Sequence, residues 1–369
     1  MKKHLILKNM HALRTASLLL TGAVLLPCLS GCGSSSSENA EAGDDNTLIV
    51  FNYGDYIDTE TIALFEEETG ITVKYEQYVT PEDMYTKYSS GSIPYDLVCT
   101  SDYMVEKMIQ AGQALPIDTS SMEYYDNLDP VYMNFAEAFD PGNKYAVPYF
   151  FGTVGILYNT AMVEDESEVE SWSVLWDEKY KSSIVMENSM RDAFLVPLKW
   201  KGHSLNSKDK TELQESLDLL KEQKPLLMAY LVDETRDMMI AGDAALAVIY
   251  SGDASVAMED NEDLDYAIPE EGSNLWIDCW FIPDSCQHKE NAEKFIDFMN
   301  REDIAMMNFD YVWYGTPNLA VKEELDEETQ EDPTVFPPDE VLEKLEVYNY
   351  LGAELDDYYC QMWKELKSY

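Results

Sequence analysis

The stretch EEGSNLWIDCWFIP, at residues 270–283, is the most informative part of this chain. It begins as a polar turn and becomes a run of aromatic and β-branched residues, a pattern that predicts a buried strand. Asp278 lies inside this run, and the two-residue period of a strand puts its side chain on the same face as Trp276. Because a buried, unpaired charge is unfavourable, Asp278 needs a partner. That partner is either a distant cation of the protein or a cationic ligand.

The start of the chain has the pattern of an export signal. Basic residues between Lys2 and Arg14 precede an apolar run from Ala16 to Leu29, and small residues follow that run. This order is typical of a signal peptide, and the apolar run is too short for a stable membrane span. We therefore expect residues 1–31 to be removed from the mature protein.

The signal ends in Leu29-Ser30-Gly31-Cys32, which resembles a bacterial lipobox. The resemblance implies cleavage before Cys32 and attachment of lipid to its sulfur, and the alternative is an ordinary signal with an incidental cysteine. Residues 32–46 are mainly Ser, Glu, Gly and Asp, which is typical of a flexible tether. The sequence thus predicts an extracytoplasmic protein that is anchored to the cell membrane by lipid and does not cross it.

The composition is strongly acidic. The chain has 71 Asp and Glu against 25 Lys and Arg, and its formal net charge is −46. Nucleic acids and anionic membrane surfaces require a basic contact surface, so neither is expected as a partner. Most of this charge is explained by solubility at a cell surface, although it would also attract cations. The roughly 320 residues after the tether are enough for two domains.

Cysteine and histidine are sparse and unclustered. Four cysteines follow the lipobox: Cys99, Cys279, Cys286 and Cys360. Cys279 and Cys286 are close enough in sequence to pair around a turn, but the sequence leaves the disulfide state open. His203 and His288 are isolated, so we expect no metal site. The glycine pair at Gly152 and Gly155 lacks the third glycine of a dinucleotide-binding motif. No cofactor is predicted.

Strand and helix patterns alternate three times between residues 47 and 112. The first strand is predicted at Thr47–Phe51, and a helix is predicted from Asp58 or Thr59 to Gly70. Such alternation predicts an α/β fold with a parallel sheet, in which ligands bind beyond the carboxyl ends of the strands. The side chains predicted at such ends are Tyr53, Tyr56, Ser101 and Tyr103.

The remaining chain predicts a second α/β domain. Residues 145–158 are expected to cross between the domains, and the stretch at 270–283 is expected to return the chain to the first. Trp172–Trp176 is predicted to begin a helix, and residues 341–367 are predicted to be helical. The predicted lobes are 47–152 plus 279–318 for the first and 153–278 plus 319–369 for the second.

Aromatic and acidic residues recur where the predicted strands end. They are Tyr53, Tyr56, Tyr103, Tyr250, Trp276, Asp192, Asp253 and Asp278, and Tyr314 is expected in the loop after the last crossing between the domains. An extended organic polycation needs carboxylates for its ammonium groups and aromatic faces for its methylenes. A desolvated cation–π contact contributes about 2 kcal/mol whereas micromolar binding needs about 8, so the carboxylates must carry recognition. The alternative for each aromatic residue alone is an ordinary position at the edge of the core.

The chain resembles the substrate-binding lipoproteins of bacterial spermidine/putrescine ABC importers along its whole mature length. The segments that carry the resemblance are residues 51–56, 95–98, 127–130, 139–143, 146–149, 276–278 and 316–318. The resemblance implies a hinged, two-domain, type II periplasmic-binding-protein fold in which each domain has a central, mainly parallel sheet flanked by helices. It also implies that the protein binds a polyamine, catalyses no reaction and delivers its ligand to the permease subunits of an importer.

The resemblance further implies a set of ligand-binding residues. They are Tyr53, Tyr56, Ser101, Tyr103, Asp192, Tyr250, Asp253, Trp276, Asp278 and Tyr314. The chain departs from the family where Tyr53 and Gly54 replace the usual Trp and Ser or Thr, and where Asp192 replaces a frequent Glu. Asp253 matches an acid of putrescine-preferring members, so the choice between putrescine and spermidine stays open. A last polar contact near Tyr348 or Asn349 cannot be aligned.

Two other functions remain as alternatives. The same fold could bind an amino acid, a sugar or a peptide. A surface hydrolase could use Asp192 and Asp278 as an acid/base pair across a cleft.

Overall fold

The computed structural model describes residues 46–232 and 234–369. The predicted signal peptide, Cys32 and nearly all of the predicted tether lie outside these residues. The strands of the described residues are β1 (Thr47–Tyr53), β2 (Thr72–Tyr78), β3 (Leu97–Ser101), β4 (Ala114–Leu115), β5 (Ala146–Asn159), β6 (Ile184–Glu187), β7 (Leu227–Leu231), β8 (Leu246–Tyr250), β9 (Leu264–Ala267) and β10 (Leu275–Pro283).

The helices differ widely in length. In chain order they are α1 (Thr59–Thr69), α2 (Pro81–Ser89), α3 (Asp102–Gln110), α4 (Pro130–Ala136), α5 (Met190–Trp200), α6 (Lys210–Gln223), α7 (Glu234–Ile240), α8 (Ser251–Asp260), α9 (Lys289–Met299), α10 (Glu302–Val312), α11 (Leu319–Glu324), α12 (Glu327–Gln330), α13 (Asp339–Leu342) and α14 (Ala353–Ser368). Short 3₁₀ turns lie at Thr119–Ser121, Tyr125–Asn127, Glu166–Glu170, Trp172–Trp176, Glu178–Tyr180 and Lys224–Leu226.

Two long central strands join two parallel groups. The strand order in the described residues is β2-β1-β3-β10-β5-β8-β6-β7, with β4 paired to β10 and β9 paired to β5. The neighbours β2, β1 and β3 are parallel, and so are β7, β6 and β8. Between them, β10 is antiparallel to β3 and β5, and β5 is antiparallel to β8. The stretch at residues 270–283 therefore supplies a strand in the middle of the sheet.

Several predicted elements are confirmed because their local signals are strong. Asp58 caps α1 by accepting a hydrogen bond from the Glu60 N–H, and the helix ends before Gly70, as predicted. In α2, Pro81 occupies the first turn, where its missing N–H has no helical partner to lose. All residues of β10 except Trp276 are buried, as the apolar run predicts.

The predicted helix start at Trp172–Trp176 is wrong, because this segment is a single 3₁₀ turn. Ser171 caps that turn, and Asp177, which has an extended backbone, caps a second short turn that follows it. At both points a polar side chain accepts a hydrogen bond from a nearby backbone N–H and ends the regular structure, so a longer helix does not form.

The continuous helix predicted for residues 341–367 is also wrong. Helix α13 ends at Leu342 and α14 begins at Ala353. In the intervening segment, the Glu346 N–H donates to the Ser273 carbonyl and the Glu346 carbonyl accepts from the Leu275 N–H. These long-range bonds to the start of β10 replace the helical ones.

The buried side chains form separate groups on the two sides of the central strands. One group contains Phe51 and Val98 from the first parallel set, together with Phe336 and Val347. The second contains Phe194, Leu246 and Tyr359, among others. The lobe boundaries remain a proposal, and we note that residues 336–347, which the predicted boundary places in the second lobe, pack with strands of the first.

The thiols of Cys99, Cys279, Cys286 and Cys360 are all free in the structure. The pairing of Cys279 with Cys286, which the sequence left open, is therefore absent here. In the described part of the chain, no helix has the length and apolar character needed to cross a membrane.

We expect Phe65→Ala to lower the free energy of unfolding by about 3–5 kcal/mol. The Phe65 ring is fully buried, with its centroid 5.0 Å from that of Phe295 and 5.3 Å from that of Phe298. Urea unfolding followed by circular dichroism measures the loss. The control is Val79→Ala at a side chain that is 82% exposed, where the change should stay below about 0.5 kcal/mol. Equal effects of the two substitutions would contradict this packing.

Candidate functional site

Asp278 lies in the middle of β10 and is 8% exposed. The Tyr56 hydroxyl donates to its Oδ2 at 2.8 Å, and the Tyr53 hydroxyl lies 3.4 Å from its Oδ1. Tyr53 is the last residue of β1 and Tyr56 lies three residues beyond it, and the antiparallel register that pairs Asp278 with Ser101 brings the carboxylate to the same edge of the sheet. The fold thus joins three residues that the sequence predicted for one site.

Burial raises the pKa of the Asp278 carboxyl to about 7, and the hydrogen bonds from Tyr56 and Tyr53 oppose this rise. The carboxyl is therefore close to balance between its neutral and charged forms at neutral pH. A cation placed against it would favour the charged form, since opposite charges attract strongly where water is excluded.

Asp192 is the centre of a second, similar arrangement. It lies in the first turn of α5 and is 5% exposed. The Tyr250 hydroxyl donates to its Oδ2 at 2.7 Å, and the Tyr348 hydroxyl donates to its Oδ1 at 2.8 Å. Asp192 and Tyr250 were both predicted site residues, and here they are hydrogen-bonded to each other.

Tyr348 is a site residue that the sequence could not place. Its hydroxyl binds Asp192, and its backbone N–H donates to the Asp102 Oδ2 at 3.1 Å. Asp102 is fully buried, and that burial raises its pKa. Tyr348 lies in the segment that was predicted to be helical, so no local pattern marked its side chain as facing the site. Asn349, the other candidate, instead donates to Glu106 and the Ala138 carbonyl.

Asp253 is the third acid of the site, and two of its partners among the described residues differ in charge. It lies in the first turn of α8, and the Tyr314 hydroxyl lies 3.3 Å from its Oδ2. On the other side, the Arg236 Nη1 lies 3.4 Å from its Oδ1. Arg236 belongs to α7 and has no sequence signal that separates it from other surface arginines.

A chain of aromatic rings connects these acids. The Trp276 ring centroid lies 5.0 Å from that of Tyr314 and 6.3 Å from that of Tyr250, both edge to face. Tyr314 lies 6.1 Å from Tyr56, which lies 5.3 Å from Tyr53. The rings therefore form a continuous wall that passes from the tyrosines on Asp278 to the tyrosine on Asp192.

Two glycines allow this wall to form. A Cβ atom on Gly152 would overlap the Trp276 ring, and a Cβ atom on Gly252 would overlap the Tyr314 ring. Gly152 drew notice in the sequence only as part of an incomplete dinucleotide-binding pattern. The physical reason for a glycine at this position is instead the close approach of the Trp276 indole ring to the backbone of β5.

Ser101 and Tyr103 complete the predicted set. Ser101 is 8% exposed, and its hydroxyl has no hydrogen-bond partner among the described residues. The Tyr103 ring lies edge to face with that of Tyr348 at 6.4 Å, but its hydroxyl donates to Glu82 at 3.0 Å and not to an acid of the site. The Trp276 Nε1 is also buried without a partner in the described part of the chain.

Three carboxylates, each bound by at least one tyrosine hydroxyl, line one continuous aromatic surface. Such a surface suits an elongated organic cation. The sequence model of the bacterial extracellular solute-binding proteins matches residues 60–337 of this chain. The chain belongs to this family.

Individual relatives agree with this assignment. This chain is 35% identical over 332 residues to the spermidine/putrescine-binding periplasmic protein of Escherichia coli K12. The match covers 89% of this chain and 94% of the relative. The solved structure of a spermidine/putrescine ABC transporter substrate-binding protein from Streptococcus pneumoniae is 40% identical, with a TM-score of 0.78 and coverage of 88% and 99%.

A solved structure from Listeria monocytogenes, named as a putative spermidine/putrescine ABC transporter, gives the same result. It is 38% identical with a TM-score of 0.80, and the match covers 87% of this chain and 99% of that one. The predicted fold class, a two-domain α/β fold of the type II periplasmic binding proteins, is confirmed by these similarities. The relative from Escherichia coli is a periplasmic protein by name.

We expect Asp278→Asn to become more stable relative to the wild type as pH rises from about 4 to about 7. The buried carboxyl keeps its proton up to a pKa of about 7, whereas its ordinary value is 3.8. Between these values the folded wild type binds more protons than the unfolded chain, so its stability falls as pH rises. Urea unfolding near both ends of this range measures the difference.

The matched control for this measurement is Asp218→Asn, whose side chain is 62% exposed. Its stability difference from the wild type should change little over the same range. A difference between Asp278→Asn and the wild type that is independent of pH would show that Asp278 has an ordinary pKa.

Proposed function

We propose that this protein binds a polyamine, spermidine or putrescine, outside the cytoplasm and delivers it to the permease of an ABC importer. The observation that carries the proposal is that Asp278 and Asp192 are buried, each between two tyrosine hydroxyls, and are linked by an aromatic wall. The names of the relatives, which are spermidine/putrescine-binding proteins, support it.

The tyrosine hydroxyls fit a role in binding ammonium groups. A tyrosine that donates its proton to a carboxylate keeps lone pairs that can accept a hydrogen bond. An ammonium group has three N–H donors, so Asp278 with Tyr53 and Tyr56 can satisfy more than one of them. Asp192 with Tyr250 and Tyr348 repeats the arrangement for a second ammonium group.

The aromatic wall fits the apolar part of such a ligand. Trp276 and Tyr314 present carbon-rich surfaces between the acids, and methylene groups gain free energy when they leave water to pack there. The buried hydroxyl of Ser101 and the Trp276 Nε1 supply further polar atoms that have no partner among the described residues. A neutral sugar would leave both Asp278 and Asp192 without a cation, and the single ammonium group of a zwitterionic amino acid would leave one of them unpaired, which is unfavourable.

We also propose that the function is binding without chemical change. Both oxygens of Asp278 and both oxygens of Asp192 accept hydrogen bonds from tyrosine hydroxyls, an arrangement that orients a cation. The relatives from Escherichia coli and Streptococcus pneumoniae are binding proteins by name, which supports a function without catalysis. Closure of the two lobes on the ligand would shift an open–closed equilibrium toward the form that the permease recognises.

We expect Asp278→Asn and Asp192→Asn each to weaken spermidine and putrescine binding by at least about 30-fold, since removal of one member of a buried charge pair costs 2–5 kcal/mol. Isothermal titration calorimetry with both ligands measures this loss. The control is Glu354→Gln, which removes the same charge at a side chain that is 85% exposed and should bind as the wild type does. Wild-type protein that binds neither polyamine, or an Asp278→Asn variant with unchanged affinity, would contradict the proposal.

We further propose that the mature protein is held at the outer face of the cell membrane by lipid on Cys32. The support is the Leu29-Ser30-Gly31-Cys32 sequence after an export signal, followed by a polar tether. A tether of this composition leaves the folded part free to reach a membrane-embedded permease.

Cys32→Ser should release the protein from the membrane fraction of the cells that express it. Cell fractionation followed by immunoblotting measures its distribution. The control is Cys360→Ser, which changes an exposed cysteine of the folded part and should leave the protein with the membranes. A Cys32→Ser protein that stays in the membrane fraction would argue against the lipid anchor.

A further inference from the structure

The three acids of the site differ in the charge of the groups that contact them. Asp278 and Asp192 each accept hydrogen bonds from two tyrosine hydroxyls, which are neutral donors. Asp253 shares one oxygen with the Tyr314 hydroxyl and the other with the Arg236 guanidinium at 3.4 Å. An arginine side chain stays charged at every pH at which proteins are folded, so its positive charge at this position is permanent.

Arg236 is more exposed to solvent than Asp253. Its side chain is 38% exposed, whereas that of Asp253 is 25% exposed. Its neighbour on α7, Asp237, is 82% exposed and lies 3.8 Å from the Arg236 Nε. The Arg236 guanidinium and the Tyr314 hydroxyl thus approach different oxygens of Asp253, and Tyr314 is the partner that belongs to the aromatic wall.

We propose that Arg236 is a specificity-determining residue that limits the number of ammonium groups the site accepts. This inference depends on the proposed polyamine-binding function. Asp278 and Asp192 offer two negative charges to the ligand, while the charge of Asp253 is offset by Arg236. A third ammonium group near Asp253 meets the guanidinium as a like charge, so a triamine gains less from this acid than it would without Arg236.

The consequence is a testable change in preference. Arg236→Gln should bind spermidine about two- to fivefold more tightly than the wild type does, because the ion pair that competes for Asp253 is partly exposed and such pairs are weak. Putrescine has two ammonium groups and should change by less than about twofold. Arg236→Lys keeps the positive charge and should stay close to the wild type. Isothermal titration calorimetry on the full mature chain at one salt concentration measures all three.

A double-mutant cycle with Asp253→Asn identifies the carboxylate through which Arg236 acts. If Arg236 competes with an ammonium group for Asp253, then Arg236→Gln has no effect on spermidine binding in the Asp253→Asn background. Lys210→Gln is the control for net charge, because Lys210 pairs with Glu354 on an exposed surface and the substitution removes the same charge. Thermal unfolding without ligand checks that each variant is folded.

The outcomes separate this inference from the proposed function. The inference is supported if the wild type binds polyamines, if Arg236→Gln binds spermidine more tightly, and if this gain in affinity disappears in the Asp253→Asn background. Unchanged or weaker spermidine binding in Arg236→Gln overturns it and leaves the proposed function standing. An equal gain in Lys210→Gln, or an equal gain for putrescine, overturns it as well. Absence of polyamine binding by both the wild type and Arg236→Gln overturns both.

Discussion

The burial of Asp278 in the central strand β10 is the constraint on which the rest of the site depends. A carboxylate that is 8% exposed must be hydrogen-bonded or neutral, and here it is held by the hydroxyls of Tyr56 and Tyr53. Those tyrosines lie 222 and 225 positions before Asp278 in the sequence. The hydrogen bonds are possible because β10 pairs with β3 in the antiparallel direction, and β3 in turn pairs with β1 in the parallel direction.

The position of β10 also explains why function and architecture coincide in this protein. β5 and β10 pair with each other and separate the two parallel groups, so a side chain in the middle of β10 is close to strand ends of both. Trp276 lies two residues before Asp278 and contacts Tyr314 and Tyr250, which come from distant parts of the chain. A single strand thereby supplies both an acid and an aromatic surface to the candidate site.

The electrostatics of the site follow from how each acid is partnered. The chain carries a formal net charge of −46, so its surface attracts cations in general. Specificity requires acids that are desolvated and fixed in place, and tyrosine hydroxyls fix Asp278 and Asp192 without cancelling their charge. Arg236, in contrast, places a positive charge on Asp253. The three acids are chemically identical side chains, and their partners make them different.

The sequence by itself determined the family and the local elements that have strong short-range signals, and it predicted most of the residues that the structure brings together around Asp278, Asp192 and Asp253. The cap at Asp58, the apolar run of β10 and the alternation of strands and helices are short-range patterns, and short-range forces form them. Only the tertiary structure decided which side chains share a partner. Tyr348 binds Asp192 across 156 positions of sequence, from a segment that forms no helix because its backbone bonds to residues 273–275. Arg236 meets Asp253 because α7 packs beside α8. Such contacts depend on the packing of distant elements, which no local period in the sequence encodes.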